Sequence, residues 1–173
     1  MKRGHVLIFS VAAGLLVSIF AMSIFFWNQL PAMIPVHFGL SGTPDSWAPK
    51  SVIYIFLVPM VLLAMFLVFL LLYRYPQYSS LPTTLILMTV EEQKREHIFE
   101  IIRSMLSFVL LWMALLFSYL QFTILAAANN RTLGLFPYIM IGALIVLFLI
   151  LIAYSIKMYL SIRKMLKNPR WLE

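Results

Sequence analysis

The side chains best suited to chemistry lie in one stretch of 24 residues, 28–51, NQLPAMIPVHFGLSGTPDSWAPKS: His37, Asp45 and Lys50, with the aromatic residues Phe38 and Trp47 between them. If the chain turns back on itself, an imidazole and a carboxylate at this spacing can hydrogen-bond, and histidine is the side chain whose charge changes near neutral pH. The same two groups could contribute to a divalent-metal site. They also have structural uses: Asp45 or Ser46 could cap a helix that follows, where amide dipoles favour acidic or hydroxyl groups, and His37 could tie the turn together. No nucleophile with an adjacent base is legible. The absence of cysteine removes thiolate chemistry, disulfides and cysteine-based metal sites. The reading is therefore a recognition site, with His37, Phe38, Asp45, Trp47 and Lys50 as candidate ligand-binding residues. No catalytic residue, metal or cofactor is expected.

The stretch separates two apolar runs, and composition decides what those runs are. Hydrophobic residues make up 63% of the 173-residue chain and charged residues 11%, against about 45–50% and about 25% in soluble proteins. Four segments, 6–27, 52–73, 104–128 and 136–156, are long enough to cross a hydrocarbon core, and none contains Asp, Glu, Lys or Arg. Crossing takes roughly 20 helical residues. Barrel strands would alternate in polarity over about 10 residues, whereas VLLAMFLVFLLL at 61–72 is apolar on every face. The expected fold is an all-α integral membrane protein of four transmembrane helices, with a structured hairpin loop between the first two. Residues 1–75 form the signature region; 76–173 add a charged helix, two spans and a basic tail. The first run exceeds the about 7–15 residues of a signal-peptide core, so it is expected to remain as an uncleaved helix.

Basic residues set the expected orientation. Eleven of the 13 lysines and arginines precede helix 1, lie between helices 2 and 3 or follow helix 4; only Lys50 and Arg131 fall on the other side. By the positive-inside rule both termini face the cytoplasm, and the hairpin faces outward from the cell membrane. Pro31 and Pro35 favour extended backbone before them, Gly39 and Gly42 permit positive φ, and Pro44-Asp45 starts a turn. Trp27, Phe38 and Trp47 are placed like interfacial anchors.

Between helices 2 and 3, Thr89 and Glu92 match a capping box, after which EQKREHIFEIIRS (92–104) runs into helix 3 without Gly or Pro. This predicts a long rod whose charges form a solvated face. Ile98, Phe99, Ile101 and Ile102 among them leave open a docking surface for a cytoplasmic partner. His97 between Glu96 and Glu100 is read as solvated rather than as a metal ligand. The tail from 157 is expected to continue helix 4 until Asn168-Pro169 stops it, and its five basic residues among Met, Leu and Ile suit a surface-lying helix attracted to anionic lipids. No aqueous basic module for nucleic acid is present.

Inside the spans, Ser10, Gly14 and Ser18 form a small-residue stripe for helix packing, with a homodimer seam as the alternative. Pro59 should free a backbone carbonyl that a neighbour must satisfy. Gln121 is expected to hydrogen-bond between helices or else to line a shallow polar pocket. With no ionisable group at membrane depth and no internal symmetry, transport is disfavoured.

The segment LPAMIPVHFGLSGTPDSWAPK resembles the signature of a bacterial membrane family of unknown function, of the form LPxxIPxHFxxxGxPDxWxxK. The signature positions here are Pro31, Pro35, His37, Phe38, Gly42, Pro44, Asp45, Trp47 and Lys50. The same signature forms the N-terminal part of immunity proteins against the sporulation-delaying toxin. The resemblance implies a group in which some members protect a cell from a secreted toxin and sequester a transcription repressor at the membrane. Those immunity proteins carry further helices and a distinct C-terminal domain, which residues 88–173 do not match. The leading expectation is thus a non-enzymatic membrane protein, with toxin-immunity or signal-sensing as its role and an extracellular peptide and a cytoplasmic or membrane protein as partners. The alternative is an accessory or scaffold subunit of a larger membrane complex; a metal-dependent enzyme or a transporter ranks below both.

Overall fold

The computed structural model describes residues 2–79, 92–129, 131 and 136–167. In chain order it holds α1 (Arg3–Phe26), β1 (Met33–Phe38), β2 (Pro44–Pro49), α2 (Val52–Arg74), α3 (Glu92–Ala128) and α4 (Phe136–Lys167). All four helices are long and apolar enough to cross a membrane, the architecture of a multi-pass membrane protein. A helix satisfies its own backbone groups, which is what hydrocarbon requires. At 1.5 Å per residue the 37 residues of α3 span about 55 Å, well beyond a hydrocarbon core of about 30 Å. It is the rod the sequence predicts. The Thr89 capping box lies outside the described residues.

The central contact joins α1, α2 and α3 through Phe9, Ala12, Leu16, Ile19, Leu62, Leu110 and Ala114. Ala12 and Ala114 are fully buried, and side chains this small let helix backbones approach closely. Ser10, Gly14 and Ser18 face the other way, exposed, and a Cβ added at Gly14 would meet nothing. Their expected use in internal packing is therefore corrected: the buried face of α1 is the one carrying Phe9, Ala12, Leu16 and Ile19.

A second cluster corrects one further expectation. Ile98, Phe99, Ile101 and Ile102 are buried against Phe69 and Leu72 of α2 and Tyr154, Met158 and Ile162 of α4, so they are core and not a docking surface. The residues from Lys157 onward continue α4 unbroken to Lys167, with Tyr154, Met158 and Ile162 repeating every fourth position toward α3. Through Ile162 this part of α4 packs against the cluster of Ile98 to Ile102. Ser104 and Tyr154 hydroxyls at 2.9 Å, and Trp112 Nε1 donating to the Ala143 carbonyl at 2.8 Å, tie α4 to α3.

Gln121 is fully buried and links three helices. Its Nε2 donates to Ser23 Oγ of α1 at 2.8 Å and to the Ile55 carbonyl of α2 at 3.1 Å. Ile55 is four residues before Pro59, so its carbonyl is the one that Pro59, lacking an N–H, leaves without a helical donor. Ser23 Oγ can accept because its own proton goes to the Ile19 carbonyl at 2.7 Å. The pocket alternative for Gln121 falls away. Replacing Gln121 by Met should lower stability by about 1–2 kcal/mol. Pro59→Ala restores an amide donor to Ile55, so the same replacement in that background should cost less. Equal losses in the two backgrounds, measured by thermal unfolding in detergent, would show that the proline carbonyl is not what Gln121 serves.

Candidate functional site

The linker between α1 and α2 is a two-stranded antiparallel hairpin. Met33 pairs with Pro49, Ile34 with Ala48 and Pro35 with Trp47; beyond Pro35 the register shifts, His37 pairing with Ser46 and Phe38 with Pro44. The shifts leave Val36 on one strand and Asp45 on the other without a cross-strand partner, and such bulges re-aim side chains. Ile34 and Pro35 are buried while Val36 and His37 are exposed, so the outward turn of His37 follows from the irregularity.

The hairpin is seated on the bundle at several points. Ile34 and Leu30 pack with Ile55, Leu125 and Ala128. Lys50 reaches back, its Nζ donating to the carbonyls of Leu30 at 3.2 Å and Trp27 at 3.4 Å and lying 5.3 Å from the centre of the Trp27 ring. These carbonyls stand at the two ends of the short 3₁₀ turn Trp27–Gln29 that follows α1, so Lys50 acts as its clamp. At the tip, the rings of Phe38 and Phe136 lie 5.0 Å apart, and Phe136 in turn stacks on Tyr119. Gly42 has φ +78°, and a Cβ there would come within 2.6 Å of the Pro137 ring. Glycine is needed at this position for both reasons. Ser51 caps α2 by accepting from the Tyr54 amide at 3.3 Å; this corrects the expectation that Asp45 or Ser46 holds that place, because β2 carries both away from the helix.

His37 and Asp45 are brought together. Nδ1 of His37 donates to Asp45 Oδ1 at 2.5 Å, and the two side chains stay 69% and 51% exposed. With a carboxylate as acceptor, Nδ1 carries the proton. Asp45 Oδ2 lies 3.1 Å from where a Cβ at Gly39 would be, so Gly39 leaves the carboxylate room against the turn. Ser41 and Thr43 hydroxyls hydrogen-bond at 2.7 Å alongside. Among the described residues no group of three or more His, Cys, Asp or Glu side chains converges, and the pair stands by itself. Trp47 is exposed on β2, opposite Pro35.

Of the five candidate residues, the structure thus unites His37 with Asp45, turns Lys50 inward as a clamp, packs Phe38 on α4 and leaves Trp47 outside. Next to the hairpin, a cleft of about 410 Å³ opens between the ends of α1 and α3, with Met22, Phe26, Phe122 and Leu125 as its apolar wall and Gln29, Asn129 and Arg131 at its polar rim. Neither this cleft nor the seat formed by Phe136 and Pro137 was legible beforehand. The only signal for the seat was a proline in the first turn of the last helix.

The family described as a domain of unknown function, DUF1648, matches residues 14–63. The match covers the second half of α1, the whole hairpin and the first half of α2, and agrees with the resemblance to an uncharacterised family. No curated protein and no solved structure matches the chain.

Two substitutions separate seat from surface. Gly42→Ala forces a side chain into a left-handed backbone against Pro137 and should cost about 1–3 kcal/mol. His37→Ala removes an exposed pair and should change stability by less than about 1 kcal/mol. Thermal unfolding of both variants checks this; comparable losses would mean that the pair, and not the glycine, holds the hairpin in place.

Proposed function

We propose that this is a non-enzymatic membrane protein that recognises an extracellular peptide through its hairpin, in a toxin-immunity or signal-sensing role at the cell membrane. The observation that carries this reading is a firmly seated hairpin with its polar pair turned outward. An exposed polar pair contributes at most about 1 kcal/mol to stability, so stability alone gives little reason for His37 and Asp45 to be held there. Polar groups fixed before a ligand arrives lose less entropy on binding, which favours affinity. The neighbouring cleft adds apolar surface with Arg131 at its edge. The distribution of lysine and arginine supports an outward-facing hairpin and cytoplasmic termini. The resemblance to the N-terminal part of immunity proteins points to a secreted peptide toxin as the ligand class.

Expression in a host sensitive to the sporulation-delaying toxin should confer protection, and His37→Ala and Asp45→Ala should each weaken it at equal protein levels in the membrane. If the unaltered protein neither protects nor binds the peptide after purification, the recognition role is lost.

A second reading, an accessory subunit of a larger membrane complex, is favoured by one observation. Ser10, Gly14 and Ser18 form a small-residue stripe on the exposed face of α1, where another helix could approach closely. Extraction in mild detergent should then recover a partner chain together with this one, and Gly14→Leu should release it. Recovery of the protein alone would count against this reading.

A further inference from the structure

At the end of the bundle away from the hairpin, polar groups from three helices gather around a second cleft, of about 660 Å³. Lys2, just before α1, has its Nζ 2.7 Å from Glu100 Oε2 of α3. Arg103, one turn further along α3, donates from Nη1 to Glu100 Oε1 at 3.2 Å and to Glu96 Oε2 at 3.1 Å, and from Nε to the Tyr73 carbonyl of α2 at 3.4 Å. Arg74, in the last turn of α2, lines the same cleft and is exposed. Among the described residues it has neither an ion pair nor a hydrogen bond.

We infer that this cleft binds the headgroup of an anionic phospholipid, its phosphodiester between Lys2, Arg74 and Arg103 and its acyl chains along Leu70 and Leu71. Three cations, Lys2, Arg74 and Arg103, stand against two carboxylates, Glu100 in the lining and Glu96 on Arg103, leaving one positive charge that a single phosphodiester would complement. Glu100 precedes the apolar run that begins at Ser104. Burial opposes its charge, but the bonds from Lys2 and Arg103 outweigh burial and hold its carboxyl below the ordinary carboxylate range. Glu100 thus remains an internal counter-ion that keeps Lys2 and Arg103 converging on the cleft before any ligand arrives. Leu70 and Leu71 are 40% and 60% exposed on α2 directly beside the charges, so the cleft meets lipid-facing surface on one side. That continuity selects a lipid over a free anion: dissolved phosphate would have no use for the leucines. Basic pockets between spans are a recurrent form of headgroup recognition.

The test is native mass spectrometry of the full chain released from detergent micelles with phosphatidylglycerol, phosphatidylcholine or inorganic phosphate added. One phosphatidylglycerol should be retained in preference to phosphatidylcholine. Arg74→Gln should weaken that retention about fivefold, the effect of one surface cation worth about 1 kcal/mol. Because Arg74 has no partner among the described residues, its replacement should leave thermal unfolding in phosphatidylcholine micelles unchanged, which separates lost binding from lost folding. Arg163→Gln removes another exposed charge, from α4 outside the cleft, and should leave retention as it was. Equal retention of the two lipids, or equal weakening by the Arg163 and Arg74 variants, overturns the site. Displacement of the lipid by inorganic phosphate at comparable concentration overturns the choice of a lipid.

Discussion

One amide holds the bundle's polar interior together. A proline inside a membrane helix exposes a carbonyl that has no water to turn to, and an unsatisfied group in hydrocarbon costs several kcal/mol. Gln121 meets that need from α3 and with its other N–H takes the Ser23 hydroxyl of α1. Because both hydrogens of one Nε2 are committed, the rotation of α3 and its height against α1 and α2 are set together. Apolar contacts alone would specify this poorly, since lipid tails are as apolar as leucine and give helices no hydrophobic reason to choose one register.

The hairpin depends on that register. Its buried residues Leu30 and Ile34 pack against Ile55, Leu125 and Ala128; Ile55 supplies the carbonyl Gln121 binds, and Leu125 lies one turn beyond Gln121 on α3. A shift of α3 would move the floor on which the hairpin rests. Lys50 closes the structure from above by taking the carbonyls at the end of the α1 turn, and Gly42 fits its tip against Pro137. Phe38, Gly42 and Lys50 are thus explained by seating, while the outward pair and Trp47 take no part in it. At the other end, Glu100 gathers Lys2 and Arg103 in the way Gln121 gathers Ser23 and Ile55, but with charges and at the edge of the apolar region.

Several features are legible in the sequence. The four apolar runs, the unbroken rod of α3 and the proline-freed carbonyl follow from residue type and local spacing. The pairing of His37 with Asp45 was foreseeable too, because a turn rich in glycine and proline lies between them. The face that each helix buries is not legible in this way. Ser10, Gly14 and Ser18 form a stripe as good as that of Ala12, yet only the second meets α3. Ile98 to Ile102 sit among charges like a surface, yet α2 and α4 cover them. Lys50 looks like a ligand group beside His37 and Asp45, but its long side chain reaches back to backbone carbonyls.

The amino-acid sequence determined the solvent, the number of spans and the place of the polar hairpin, since these depend on the transfer of each residue from water and on the preferences of neighbouring peptide units. Tertiary structure alone decided which face of each helix is buried, that Gln121 answers Pro59 across 62 positions of chain, and that α4 provides the hairpin's seat. Those choices rest on contacts between segments far apart in the chain. In a bundle that is apolar on nearly every side, they are made by a few polar groups and small side chains whose partners no local pattern reveals.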